Sequence, residues 1–271
     1  SGAATSDEGA VLVLHGRPAT GDRAGLRGDR SVELSADSPH VAGDGRAMDQ
    51  LGTSVAVGDV HGDGFADVAL GAIGRDVGGV ADAGAVLVLE GSASGIRAAG
   101  SRQHLAGAGG VAGAAEAGDR LGSALALGDL DGDGDADLLA GIAGQSVGGS
   151  TRAGAVLVLR GGEGGLTGVG SRQLHQGTAT TVLPDRAEAL DVLGSSVAIG
   201  DFDGNRFGDL VLGIPGEDVG AVADAGSVTV VPGSGGGFGV TTATLVDGGD
   251  VPPGEAEPGD RWGGLFPIHL R

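Results

Sequence analysis

Small or polar residues alternate with branched apolar ones through Leu51-Gly-Thr-Ser-Val-Ala-Val-Gly58. The same beat returns in Leu121-Gly-Ser-Ala-Leu-Ala-Leu-Gly128 and Leu193-Gly-Ser-Ser-Val-Ala-Ile-Gly200. Period-two alternation of this length predicts a β-strand. After an acidic, glycine-rich stretch comes a second apolar run: Val68–Gly71, Leu138–Gly141 and Leu210–Gly213. A glycine-rich turn leads to a third, Gly84–Leu89, Gly154–Leu159 and Gly226–Val231. Weaker segments at Ser101–Leu105, Ser171–His175 and Thr242–Val246 read as a fourth, outer strand.

Four short strands per unit, with no convincing helix between them, predict an all-β fold of β-propeller blades. One blade cannot cover both of its own faces, so the units must stack. Gly and Ala at the strand starts are expected to let backbones converge where larger side chains would clash. The ends are out of phase with the unit. Gly9–Leu14 reads as a third strand and Arg30–Leu34 as its fourth, while Asp260-Arg-Trp-Gly-Gly264 reads as the opening of a new repeat before Leu265–Arg271 loses the pattern. The expected organisation is a partial blade over 1–50, blades over 51–120, 121–192 and 193–259, and the start of a further blade over 260–271. This is three complete blades and two partial ones, a segment of a larger ring.

Composition narrows the class. Glycine reaches 60 of 271 residues without an every-third-residue period, which excludes collagen. A hydrophobic content of 40% argues against disorder. Zero cysteines remove disulfides, zinc-thiolate sites and thiol catalysis together. The formal charge of −20, with sixteen basic residues that are all arginine, speaks against nucleic-acid binding and against docking on anionic lipid. No apolar run reaches the roughly eighteen residues of a membrane span, so no membrane insertion is expected. No signal peptide is visible at Ser1, which leaves a cytoplasmic chain, a processed one or a cut piece.

The acidic stretches are near-copies of one nonapeptide: Asp59-Val-His-Gly-Asp-Gly-Phe-Ala-Asp67, Asp129-Leu-Asp-Gly-Asp-Gly-Asp-Ala-Asp137 and Asp201-Phe-Asp-Gly-Asn-Arg-Phe-Gly-Asp209. Oxygen-bearing side chains recur at positions 1, 3, 5 and 9, save for His61 at position 3 of the first copy, with glycines between, as in loops that wrap a hard cation needing six to eight oxygens. An EF-hand would need a bidentate Glu at position 12 and flanking helices; Leu70, Ala140 and Leu212 stand there instead. The alternative is a set of solvated polar turns without metal. Against it, five unneutralised acids within the second nonapeptide would repel one another strongly.

The run Leu-Gly-Ser-Ser-Val-Ala-Ile-Gly-Asp-Phe-Asp-Gly, with Leu-Gly-Ile-Pro-Gly at 212–216, resembles the FG-GAP repeat of integrin α-subunit propellers and of secreted bacterial proteins. That resemblance implies a seven-bladed propeller with Ca2+ loops between first and second strands, ligated by side chains at positions 1, 3, 5 and 9 and by the position-7 carbonyl. In the second loop these are Asp129, Asp131, Asp133, Asp137 and the Asp135 carbonyl. In the third they are Asp201, Asp203, Asn205, Asp209 and the Phe207 carbonyl. There Arg206 replaces the glycine of its sisters, at a cost of roughly 1 kcal/mol if the backbone is left-handed. The first loop has Asp59, Asp63, Asp67 and the Phe65 carbonyl, but carries His61, a poor ligand for a hard cation, at position 3. Affinity is expected to fall from the second loop to the third to the first.

Other signals dissolve on inspection. Arg27-Gly28-Asp29 is a tripeptide that chance alone supplies roughly 0.35 times in such a chain. Gly144-Gln-Ser146-Val-Gly148 has the form of a nucleophile elbow, yet its counterparts carry Asp76 and Asp218 at the serine's place and no helix follows. His104 and His175 read as solvated rim residues, the run Gly233–Gly239 as a flexible loop, and Trp262 and the Phe residues as blade-interface filler.

The function expected from this resemblance is a non-enzymatic, calcium-stabilised interaction or adhesion module, secreted or on the cell surface, with a protein or surface-glycan partner. The alternatives are an accessory or catalytic propeller segment of a secreted, phospholipase-like hydrolase, and a carbohydrate-binding propeller, which an aromatic content of 2% weakens.

Overall fold

The computed structural model describes residues 9–17, 25–35, 37–43, 49–177, 182–239, 242–247 and 256–264. Its regular elements are strands throughout. An opening hairpin joins β1 (Ala10–Arg17) to β2 (Gly25–Ser35). The first four-stranded sheet runs β3 (Leu51–Gly58), β4 (Asp67–Ala72), β5 (Ala85–Glu90) and β6 (Arg97–His104), antiparallel and in chain order. The second comprises β7 (Leu121–Gly128), β8 (Asp137–Ile142), β9 (Ala155–Arg160) and β10 (Thr167–Gln176), with β11 (Val182–Leu183) added in parallel at its outer edge. In the third, β12 (Val197–Gly200), β13 (Asp209–Ile214) and β14 (Ser227–Val231) are followed by a small hairpin, β15 (Gly233–Ser234) with β16 (Gly237–Phe238). β17 (Thr244–Asp247) then completes the four-stranded sheet.

Each sheet is a blade, and the blades stack as the alternation demands. The middle strands β4 and β8 are buried along their length and β13 over most of it, with β8 lying between the cores it shares with the first and third blades. One core joins first and second blades through Ala69, Val86 and Val88 against Leu138, Ala140 and Leu157. A second joins second and third blades through Leu139, Val156 and Val158 against Leu210, Leu212 and Ile214. A third seats the opening hairpin, by Leu34, on Leu70 and Leu87 of the first blade.

The joints between blades repeat bond for bond. Arg120 and Leu121 donate their amides to the carbonyls of Asp82 and Ala83 at 3.0 Å each. Val192 and Leu193 do the same to Arg152 and Ala153, and Arg261 and Trp262 to Asp224 and Ala225. Parallel bridges Gly84↔Leu121, Gly154↔Leu193 and Gly226↔Trp262 mark the three joints. A Cβ on any of these glycines would run into the backbone of the incoming strand, and each has a positive φ (79°, 84° and 80°). The segment around Trp262 therefore docks on the third blade as the first strands of the second and third blades dock on theirs.

Several expectations need correction. The third blade's first strand is regular only from Val197, although Gly194 and Ser196 still bond Gly213 of β13 and Leu193 bridges Gly154 at the joint. The glycine run 233–239 is a tight hairpin, not a flexible loop, closed by Ser234 Oγ donating to the Gly237 carbonyl at 2.7 Å. It carries Phe238 into the core, under the Arg172 guanidinium 4.8 Å from its ring centroid. His104 is buried, not solvated, and burial first, then the charge of Arg102, lowers its pKa to about 4. Phe65 and Phe202 are exposed where interface filler was expected. Leu265–Arg271 and the start of the 1–50 segment lie outside the described residues.

Candidate metal centres

All three acidic loops close the turn between a blade's first two strands, where Gly58↔Asp67, Gly128↔Asp137 and Gly200↔Asp209 are paired. The same architecture recurs inside them. The position-1 aspartates turn both carboxylate oxygens inward onto backbone amides. Asp129 accepts from Gly132 at 2.7 Å and Gly134 at 3.0 Å, Asp59 from Asp63 and Gly64, and Asp201 from Gly204, Asn205 and Arg206. Position 5 caps the amide of position 7: Asp63 with Phe65, Asp133 with Asp135, Asn205 with Phe207. Carboxylates held by amides are pre-aimed, which reduces the ordering cost of gathering several around one ion.

Position 9 is a buried brace. Asp137 Oδ2 accepts from Leu130 N at 2.9 Å, and its Oδ1 from Gly161 N at 2.8 Å. Asp67 repeats this with Val60 and Gly91, and Asp209 with Phe202 and Gly233. The second donor is always the glycine two residues beyond the third strand's last apolar position. This partner escaped the sequence reading, although Gly91, Gly161 and Gly233 recur in phase and signal it. Burial pushes the Asp137 carboxyl up to about 6 against the pull of those two amides, with Asp133 and Asp129 adding repulsion.

Position 3 separates the loops. In the second and third, carboxylate oxygens of Asp129, Asp131 and Asp137, and of Asp201, Asp203 and Asp209, lie within 4.8 Å of one another. Asp131 Oδ1 is buried without a hydrogen-bond partner among the described residues, while its Oδ2 meets the guanidinium of Arg160. Asp203 instead accepts from Asn205 at 2.9 and 3.0 Å. In the first loop His61 turns Nδ1 to Asp67 Oδ2 at 3.0 Å and Nε2 toward Glu90 at 3.7 Å. Among the described residues no comparable acidic triad forms in the first loop. Arg160 is a second residue the sequence reading missed; Glu90 and Pro232 hold its place in the sister blades, so only the fold shows that it reaches the loop.

Arg206 takes the left-handed backbone expected of it, φ 76° beside 87° at Gly64 and 95° at Gly134. At position 7 the side chains lean away from their own loops. Phe207 covers Gly132 of the second loop, and Asp135 places its carboxylate over Gly62 of the first. Burial, then Asp133, Asp59 and Asp129, raise the pKa of Asp135, and His61 partly offsets them.

The donor sets fit a hard divalent cation: every acidic triad offers only oxygen, and one buried oxygen has no other partner. Stacked four-stranded blades with acidic loops on their inner hairpins define a β-propeller repeat protein. Its repeat is the FG-GAP repeat, which matches residues 51–89, 121–159 and 193–231; the chain is an FG-GAP repeat protein. No curated protein matches the chain significantly.

Proposed function

We propose that the chain is a calcium-binding, non-catalytic interaction module of adhesion type, acting outside the cell on a protein or surface-glycan partner. The reading rests on one observation: an oxygen-only triad occupies the same turn of two consecutive blades. Asp129, Asp131, Asp133 and Asp137 with the Asp135 carbonyl would hold one ion. Asp201, Asp203, Asn205 and Asp209 with the Phe207 carbonyl would hold a second. Asp59, Asp63, Asp67 and the Phe65 carbonyl, with His61 in place of an oxygen donor, would form a weaker third site. When bound, the cation neutralises the crowded carboxylates and clamps the hairpin.

An extracellular setting suits such loops. Loops of this kind bind extracellular calcium even at dissociation constants of ~10⁻⁴ M. Net charge favours a partner other than nucleic acid, and no described helix is long and apolar enough to cross a membrane. The loops at the blade ends are the places for partner contact. Isothermal calorimetry with calcium on the intact chain, Asp131→Ala and Asp133→Ala tests the site. Loss of one binding event in each variant is expected, and unchanged binding in both would overturn the assignment.

A further inference from the structure

Each blade carries a buried pair 26 residues apart, an Asp just before the first strand and a residue just after the second. The two positions are locked together by backbone: Gly74, Gly144 and Gly216 donate to the carbonyls of Asp49, Asp119 and Asp191 at 3.2, 2.9 and 3.0 Å. In the first blade the pair is an ion pair, Arg75 Nη1 to Asp49 Oδ2 at 2.7 Å. In the second it is Asp119 with Gln145, and in the third Asp191 with Glu217. The cation of the first blade has become an anion in the third. Asp191 and Glu217 are 0% and 2% exposed, a depth at which two unpaired negative charges are not sustained.

Gln176, 1% exposed, reaches this pair from the end of β10 in the second blade, and its Nε2 donates to Glu217 Oε2 at 2.6 Å. Two acceptors of the cluster, Gln176 Oε1 and Asp191 Oδ1, are buried with no hydrogen-bond partner among the described residues. Asp191 Oδ2 is already taken by the Glu188 amide at 2.5 Å. The surrounding charges are anionic: Asp185 and Glu188 from the preceding loop and Asp218 from Glu217's own turn. The arginine of that loop, Arg186, lies 80% exposed, 3.7 Å from Glu188.

We propose that Glu217 stays protonated in the folded chain and donates that hydrogen to one of the two orphan acceptors, Asp191 Oδ1 or Gln176 Oε1, so that the joint between second and third blades is a proton-held latch. Burial raises Glu217 to about 8, with Asp191, Asp185 and Glu188 adding repulsion and the Gln176 bond opposing. Asp191 is raised to about 6, again chiefly by burial. The folded chain therefore holds a proton that the unfolded chain has released above its ordinary glutamate value of about 4.3. Stability from this group is complete below that value and is lost as pH rises toward about 8.

The test is chelator-treated wild type, Glu217→Gln and Glu217→Arg, each unfolded by urea from pH 5 to 9. Wild type is expected to lose about tenfold in its folding equilibrium per pH unit across most of that window, beyond what Glu217→Gln loses. Glu217→Arg, which recreates the ion pair of the first blade, is expected to flatten the profile likewise. Equal slopes in wild type and Glu217→Gln would overturn the proposal, as would a slope abolished by adding a divalent cation, which would make the missing partner a metal. A carbon-13 titration of Glu217 in the wild type needs no variant; a midpoint near the ordinary glutamate value would also overturn it. Calcium calorimetry on the same variants should be unchanged, which separates failure of the latch from failure of the calcium reading.

Discussion

The carbonyl of Asp129, first residue of the second acidic loop, accepts a hydrogen bond from the amide of Gly208, eighth residue of the third, at 2.9 Å. Ala136 and Asp59 repeat the bond between second and first loops at 2.7 Å. The loops are thus linked edge to edge along the stack. An ion that stiffens one hairpin also stiffens the rim of its neighbour. Calcium would then act on blade order and not only on single turns.

Removing calcium should therefore lower stability cooperatively. At ~100 times the dissociation constant one site contributes about 2.7 kcal/mol, or roughly 5–10 °C in Tm for a chain of this size. Differential scanning calorimetry with calcium and with a chelator measures it. An unchanged Tm would count against metal at these loops.

Arg206→Gly should stabilise the chain. Arg206 holds φ 76°, which costs a non-glycine residue about 1–2 kcal/mol, and the entropy loss of glycine offsets part of the relief. A net gain of about 0.5–1 kcal/mol is expected by urea denaturation. Tighter calcium binding at the third loop should accompany it, since a positive charge is removed from that loop.

Gly154→Ala should break the joint between second and third blades. The glycine sits at φ 84°, and an added Cβ meets the backbone of Leu193. A loss above ~3 kcal/mol is expected, because neither obstacle is a flexible side chain. Gly148→Ala is the control: its φ of 59° is also left-handed, but open space surrounds it, so its cost should be about 1 kcal/mol.

Asp119 supplies a pH dependence away from the metal loops. Burial, partly opposed by its bond to the Glu116 amide, raises its pKa to about 6 from an ordinary 3.8. The folded state then binds more protons than the unfolded one between these values, so this group's stabilisation is lost as pH rises through them. Asp119→Asn should weaken the fall in Tm between pH 4 and 6, and an unaltered profile would refute the buried-acid account.

The strands and the acidic turns were legible in the chain because both are local. Period-two alternation places Val55 and Val57 on one face of β3 whatever stands opposite, and the spacing of Asp129, Asp131 and Asp137 brings their oxygens together once the turn closes. The left-handed backbone at Arg206 was legible too, from the glycines of its sister loops. What lay beyond the sequence alone was set by contacts between residues far apart in the chain, within a blade and between blades. Only stacking decides that Phe207 covers Gly132 and Asp135 lies over Gly62, and only the folding of distant strands within one blade decides that Arg160 reaches Asp131 or that Glu217 lies beside Asp191. A repeat specifies its own hairpins through neighbouring residues, but the environment of each side chain depends on which neighbouring blade it meets. That is information carried by packing and not by period.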